Sequence, residues 1–322
     1  MKLSFIAWER YEPHTDLLAH HLGATMHHIY HGQRGKLLQA PVRYLTQSLQ
    51  TWTVLAREKP DVIFVQNPPI FCALIAFLYA RRNRAQYVID SHTAAFTSPK
   101  WTWSLRLHRL LSLRAAATIV HNDSQKKIVE KWGCRHCVVG FVPGEYPPGD
   151  HFPLDKRFNV VVISTFGDDE PLDKVLQSAR LLPEVDFYIT GDLKSAPSRM
   201  LANKPNNCHF TGYLPYNNYV GLLRSVDFVM DLTTRDNCLL AGAFEAVNIG
   251  TPLIISDWPI LQQYFPLGTL HIPNTVGGIC EGVRRAQRDQ PSLRQDIPQL
   301  RDKLQARWNQ EFGELCRLLQ QR

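Results

Sequence analysis

The strongest constraint this chain places on its own fold is a pattern that runs, stops and starts again. From Leu3 to about Phe141, short runs rich in Val, Ile and Phe alternate with helix-length stretches. Such alternation, sustained over many units, means βαβ connections and a mostly parallel sheet. Val142-Pro-Gly-Glu-Tyr-Pro-Pro-Gly-Asp150 then breaks it with Pro and Gly and no periodicity, the composition of a linker. The alternation resumes at Asn159. Two successive α/β domains follow from that restart, over 1–146 and 158–300, with a linker at 147–157 and a closing helical segment at 301–322. A single doubly wound domain would not restart.

In the first half, strands are expected at Leu3–Ala7, Met26–Tyr30, Val62–Val65, Tyr87–Asp90, Thr118–His121 and Val138–Phe141. Helices are expected near His14–Leu22 with Gly23 as C-cap, Val42–Glu58, the apolar run Pro68–Ala80, Thr102–Ala115, and Gln125–Trp132 with Ser124 as N-cap. In the second half, strands are expected at Asn159–Ser164, Phe187–Thr190, His209–Thr211, Phe228–Leu232 and Leu253–Ile255. The helices between and after them are Leu172–Leu182, Tyr219–Arg224, Gly242–Ile249 and Ile260–Tyr264. Two long helices, near Gly277–Arg288 and Leu300–Leu319, end the chain.

Composition narrows the class. Hydrophobic residues make up 44% and charged residues 20%, as in a globular protein. Met1–Trp8 is too short for a signal-peptide core, and no apolar run approaches the roughly 20 residues a membrane-spanning helix needs. The expected location is therefore cytoplasmic. The seven cysteines are scattered and odd in number, which implies no disulfide framework. Cys134-Arg-His-Cys137 lacks the second pair a zinc site needs, and His27 and His28, adjacent on a strand, point to opposite faces. No metal is expected. Residues 1–150 hold 18 Lys and Arg against 10 Asp and Glu, while residues 151–322 hold 18 against 19. The whole positive excess lies in the first half and points to an anionic surface or ligand. No nucleic-acid motif accompanies it, leaving an anionic membrane leaflet as the candidate.

Ligands of open parallel sheets bind at the carboxyl ends of strands, so the segments after strands carry the chemistry. The segment from Asp231 to Ile255 is the most informative. A strand ends in a polar loop, a helix opens around Gly242-Ala243, Glu245 sits one turn inside, and Gly250 stops it. Small residues at a helix start let backbone amides approach a diphosphate, with the helix dipole helping. A carboxylate one turn in accepts hydrogen bonds from a ribose diol, and Arg235 in the preceding loop can reach a phosphate. A plain α/β crossover with a solvated Glu would carry the same spacing.

The stretch resembles the donor-site signature of GT-B glycosyltransferases, family 4 and its relatives in particular. There an acidic residue stands ahead of a Gly-x-Pro strand start, as Glu245 stands ahead of Gly250-Thr251-Pro252. Val65-Gln-Asn-Pro-Pro69, Ile163-Ser-Thr-Phe-Gly-Asp-Asp-Glu-Pro171 and Ile189-Thr-Gly-Asp192 are similar to the chitobiosyldiphosphodolichol β-mannosyltransferase branch. Gly212-Tyr-Leu-Pro215 and Val226-Asp-Phe-Val229 fit the second domain of the same superfamily, and the closing helix with Trp308 is similar to its final helix, which crosses back onto the first domain.

The resemblance implies two Rossmann-like parallel-sheet domains facing a cleft and transfer of a hexose from a UDP- or GDP-sugar. Carried over by position, Glu245 would bind the donor ribose. The amides near Gly242 and Ala243, with Arg235, would hold the diphosphate. Thr165, Gly191 and Asp192 would line the nucleotide pocket. His92, in Asp90-Ser-His-Thr93, takes the place of a cleft-facing His and is assigned to the acceptor site as base, with Asp90 orienting it or acting as base itself. His121 and Glu9 are weaker candidates.

Two departures stand out. The second Glu of the family pattern is replaced by Asn237, which leaves stereochemistry open. The glycine-rich loop after the first strand is replaced by Trp8-Glu-Arg-Tyr-Glu-Pro-His14, where Arg10 takes over phosphate or acceptor contacts or is an ordinary surface arginine.

Pro99–Arg114 combines two Trp, several Leu and a basic face, and Arg34, Lys36, Arg43, Tyr44 and Trp52 repeat the combination. Such segments lie in membrane interfaces or pack a core with their arginines solvated. The charge excess favours peripheral membrane contact and a lipid-linked or polysaccharide acceptor. Two rival readings are a sugar-nucleotide 2-epimerase on the same scaffold and a non-catalytic partner of another transferase. A dehydrogenase is disfavoured, since no G-x-G-x-x-G follows a strand.

Overall fold

The computed structural model describes residues 1–10, 12–31, 40–155 and 157–320. Tyr11, Arg34 and Lys36 lie outside them. The chain divides into two compact units, one of Met1–Val142 joined by the residues from Arg307 on, the other of Pro143–Ala306.

The first unit runs β1 (Leu3–Ala7), α1 (Pro13–Leu22), β2 (Thr25–His28), α2 (Ala40–Glu58), β3 (Val62–Asn67), α3 (Ile70–Asn83), β4 (Gln86–Ser91), α4 (Ala94–Thr97), α5 (Leu105–Ser112), β5 (Ala117–Val120), α6 (Asp123–Trp132) and β6 (His136–Val138). Its six strands are parallel in the order β2-β1-β3-β4-β5-β6. All six residues of β3 are buried, as the unbroken apolar run Val-Ile-Phe-Val requires of a strand covered on both faces. Ile63, Val65 and Ile89 pack beneath Ala73 and Ala76 of α3. The helix read over Thr102–Ala115 is shorter, a 3-10 turn at Thr102–Ser104 leading into α5. The cap of α6 is Asn122, not Ser124. Its side chain accepts a hydrogen bond from the Gln125 amide at 3.0 Å, and Ser124 falls inside the helix.

The second unit runs β7 (Phe158–Val162), α7 (Leu172–Arg180), β8 (Val185–Thr190), α8 (Ser198–Ala202), β9 (Cys208–Gly212), α9 (Tyr216–Ser225), β10 (Phe228–Asp231), α10 (Ala241–Ile249), β11 (Leu253–Ser256), α11 (Pro259–Tyr264), β12 (Thr269–Ile272) and α12 (Val276–Gln320). Its strands are also parallel, in the order β12-β11-β10-β7-β8-β9. Within the segment read as a linker, the Asp150 amide donates to the Asn217 carbonyl at 3.0 Å, which pins it to α9.

β12 escaped the sequence reading because its four residues show only two fully buried side chains. The two long helices expected at the end are one. Pro291 and Pro298 lie inside α12, and a buried stripe of Ile279, Val283, Ile297, Leu300, Leu304 and Trp308 runs through both. Burying each of those large side chains contributes roughly 1.5–3 kcal/mol, enough to offset the roughly 3 kcal/mol cost of an internal proline.

Candidate functional site

Strand order reverses between β1 and β3 in the first sheet and between β7 and β10 in the second. At such reversals the loops leave in opposite directions and open a crevice beyond the strands' carboxyl ends. In the first unit a cavity of about 290 Å³ opens there, lined among others by Trp8 and Glu9 after β1 and by Pro68 and Pro69 after β3.

Next to it, Asp90 near the end of β4 is fully buried. Its Oδ2 accepts from Thr15 Oγ1 at 3.3 Å and His92 Nε2 at 3.2 Å, and its Oδ1 accepts from His121 Nε2 at 2.9 Å. His14 Nε2 donates to the Val139 carbonyl at 3.1 Å, and its ring stacks on His121 at 4.2 Å. Three segments, the start of α1, the end of β4 with the residue after it, and the loop after β5, thus bring one carboxylate and three imidazoles together. Each of His14, Asp90, His92 and His121 offers an atom within 4.8 Å of the others, the spacing of a metal-ligand set.

The charges within the cluster differ sharply. Burial opposes ionisation of Asp90, but His92 and His121 beside it hold its carboxyl well below the usual range. Burial likewise opposes the charged form of His92, yet Asp90 and Glu12 prevail and raise its pKa to about 9. Burial, reinforced by His14 and His92, lowers His121 to about 4 despite Asp90. At neutral pH the proton therefore sits on His92. With Nε2 engaged, His92 keeps Nδ1 for another partner, and its side chain is 18% exposed. Arg10 is exposed, with its guanidinium 4.9 Å over the Tyr30 ring.

In the second unit the loops after β7 and β10 interlock. Glu170 accepts from Ser164 Oγ at 2.6 Å, Thr165 Oγ1 at 2.7 Å and the Thr165 amide at 2.9 Å. Asp169 takes a hydrogen bond from Thr233 Oγ1 at 3.0 Å and pairs with Arg235 at 3.0 Å. Arg235 is thereby held beside the loop after β7. Gly191, at the end of β8, has φ 121°, and a Cβ on it would stand 2.5 Å from the Ser164 carbonyl. Asp192 is exposed and accepts from the Lys194 amide at 3.0 Å.

Helix α10 starts against this loop. Gly242 and Ala243 are buried, and their amides donate to Asp231, the last residue of β10. These two amides, expected to hold the diphosphate, are thus already taken by a side-chain carboxylate that the sequence did not assign to them, and Ala241, the first helical residue, is the exposed one. Burial, with Glu170 and Glu245 nearby, pushes Asp231 up to about 7, against the pull of those two amides. Glu245 lies one turn in, where Tyr219 of α9 donates to its Oε2 at 2.5 Å. Burial raises the Glu245 pKa, and that hydrogen bond holds it down. Asn237 has φ 60°, a left-handed backbone that Asn tolerates better than Glu.

Sequence reasoning named Asp90, His92, Glu245, Gly242 and Arg235 but gave Asp231, Glu170 and Tyr219 no role. Asp231 ends an otherwise apolar strand, Phe-Val-Met-Asp. A carboxylate at that position is a signal that could have found it.

The profile of a glycosyl transferase 4-like domain matches residues 3–144, and that of a glycosyl transferase-like domain matches residues 173–311. Among curated proteins none matches the sequence. Sucrose-phosphate synthase from Thermosynechococcus elongatus superimposes with a TM-score of 0.72 at 13% identity, covering 99% of each chain. HepE of Anabaena, in complex with UDP, gives 0.66 at 14% identity over 99% of this chain and 98% of its own. The UDP-GlcNAc 2-epimerase of Methanocaldococcus jannaschii gives 0.55 at 13% identity, covering 88% of this chain and 92% of its own. At these identities the likeness is one of fold: two parallel α/β sheets in the GT-B architecture. The two matched domains together make the chain a glycosyltransferase, with a glycosyl transferase 4-like first domain.

Proposed function

We propose that the protein transfers a hexose from a UDP- or GDP-sugar to a lipid-linked or polysaccharide acceptor without a metal ion. The observation that carries this reading is Glu245, held by Tyr219 one turn inside a helix that starts at the β7–β10 reversal. A carboxylate so placed suits the two hydroxyls of a ribose, and the helix start at exposed Ala241 suits a diphosphate. Thr165, Gly191 and Asp192 line the nucleotide pocket, with Arg235 at its rim. HepE, a protein of similar fold, binds UDP in the crystal. The likeness of Ile163–Pro171 to the mannosyltransferase branch makes mannose one hexose to test.

On the acceptor side, the neutral form of His92, the minor species below about pH 9, removes the proton of the attacking hydroxyl through Nδ1, while Asp90 orients the ring and stabilises the imidazolium that results. His14, His92 and His121 each already donate through Nε2 to protein acceptors, so the cluster works here as a proton-handling group. Positive charge and helix dipoles stabilise the leaving diphosphate.

Val42, Leu45 and Leu49 form an exposed apolar stripe on α2, and Trp103, Leu110 and Leu113 are exposed around α5 among Lys100, Arg106 and Arg109. Among the described residues no helix is long and apolar enough to cross a membrane. This face rests on an anionic leaflet, each cation contributing about 1 kcal/mol. Flotation with anionic liposomes tests it, and no binding at low salt would remove it.

The chemistry is tested by following UDP- and GDP-hexoses by NMR with and without a glycan acceptor. Consumption that requires acceptor supports transfer. Turnover without acceptor would mean epimerisation, and no turnover would favour a non-catalytic partner.

A further inference from the structure

At the opposite end of the first sheet, where β3 and β4 begin, lies a cavity of about 720 Å³. Asp61 and Gln86, at the starts of those strands, line it. Five strand steps separate Gln86 from Ser91 at the carboxyl end of β4, roughly 17 Å of extended chain. The cavity is therefore remote from Asp90 and His92, at the end of the sheet where ligands of this fold are not normally held. Its volume falls within the 300–1,000 Å³ typical of small-molecule sites.

Lys59, Arg82 and Arg84 line it, together with half-buried Trp52 and buried Tyr79. The three cations have no ion-pair partner among the described residues. The nearby carboxylates are already engaged: Glu58 pairs with Lys2 at 2.9 Å and with Arg57 at 3.3 Å, and Asp61 accepts from the Lys2 amide at 2.6 Å. α2 and α3 both end here, and each helix carboxyl end carries about half a negative charge. Two such ends account for about one cation, and five (Lys2, Arg57, Lys59, Arg82, Arg84) face only two carboxylates. An uncompensated positive charge of about two remains.

The backbone adds an independent sign. Lys59 and Arg84, just past the ends of α2 and α3, have φ 50° and φ 57°. Side chains other than Gly and Asn rarely adopt this left-handed conformation, and glycine is the residue that fits a helix end best. Both positions carry a long cation instead, and both cations line the same cavity.

We propose that this cavity is a second, non-catalytic binding site for an acidic saccharide bearing two or more carboxylate or phosphate groups. Guanidinium forks at Arg82 and Arg84 grip planar or tetrahedral anions in a bidentate manner. The half-buried Trp52 offers apolar ring surface to a pyranose, which a bare anion does not need. The inference does not depend on which donor or acceptor the enzyme uses.

Calorimetric titration tests it, with UDP and GDP present to occupy the nucleotide pocket. The probes are tetragalacturonate, neutral maltotetraose and inorganic pyrophosphate. Tetragalacturonate should bind, and maltotetraose should not. The double variant Lys59→Gly/Arg84→Gly should melt no lower than the wild type, because glycine suits both positions, yet bind tetragalacturonate at least tenfold more weakly. Arg82→Gln should weaken it as well. Unchanged affinity in the double variant would overturn the proposal. So would equal affinity for maltotetraose, or pyrophosphate binding as tightly as the saccharide.

Discussion

The carboxylate of Asp231 stands where a side chain on Gly242 would have to go: a Cβ there would lie 2.7 Å from Asp231 Oδ2 and 2.9 Å from Ile163 Cγ1. The start of α10 is thus built around a buried acid, and its glycine is needed for close approach rather than for an unusual backbone angle.

Gly242→Ala should therefore push α10 away from β10. Overpacking of this kind costs typically 1–3 kcal/mol. The melting temperature should fall and nucleotide affinity should drop with it. A variant with wild-type stability and affinity would show that the contact is loose.

Asp231 makes stability depend on pH. Its folded pKa is about 7, above the 3.8 of an unperturbed aspartic acid. Between those values the native chain holds a proton that the unfolded chain has released, so this contribution is full below about pH 4 and is lost as pH rises through 7. At about 1.4 kcal/mol per pH unit, the ceiling is about 4 kcal/mol. Thermal melts between pH 5 and 8 should show a downward slope that Asp231→Asn flattens. The same slope in both proteins would place the proton elsewhere.

Much of the fold was legible because parallel strands buried on both faces read as continuous apolar runs, as Val62–Val65 and Leu253–Ile255 do. β12 was missed because Thr269-Leu-His-Ile272 is too short and too polar to announce itself. The helix break expected between Arg288 and Leu300 is absent because tertiary burial of Ile297 and Leu300 outweighs the two prolines, Pro291 and Pro298. The candidate site was legible only one residue at a time. Asp90 and His92 share a motif, but His14 reaches them from the start of α1 and His121 from the loop after β5, and no spacing in the sequence encodes that meeting. The charged loop Asp168-Asp-Glu170 was visible, whereas its locking onto Thr165, Thr233 and Arg235 was not.

The raised pKa of His92 sets the acid limb of catalysis. In the free enzyme a base with a pKa of about 9 makes kcat/KM rise about tenfold per pH unit below that value. Asp90→Asn removes the main anion that holds the proton on His92, so that burial opposes the remaining pull of Glu12. The limb should move to lower pH while the maximal rate falls. His92→Ala should lower kcat by about 10²–10⁴. A limb that stays near 9 in Asp90→Asn would assign it to another group.

Tyr219 positions Glu245, and its loss should act through that residue. Tyr219→Phe leaves a buried carboxylate short of one hydrogen bond, a cost of about 1–3 kcal/mol. Donor KM should rise with kcat little changed, the pattern of lost uniform binding. A fall in kcat alone would contradict it.

The most direct measurement is calorimetric titration of UDP and GDP into the wild type and Glu245→Ala. If Glu245 holds the donor ribose, one nucleotide should bind the wild type, and the variant should bind it at least tenfold more weakly, a loss of about 1.4 kcal/mol or more. Equal affinity in the two proteins, or no binding of either nucleotide to the wild type, would contradict the account.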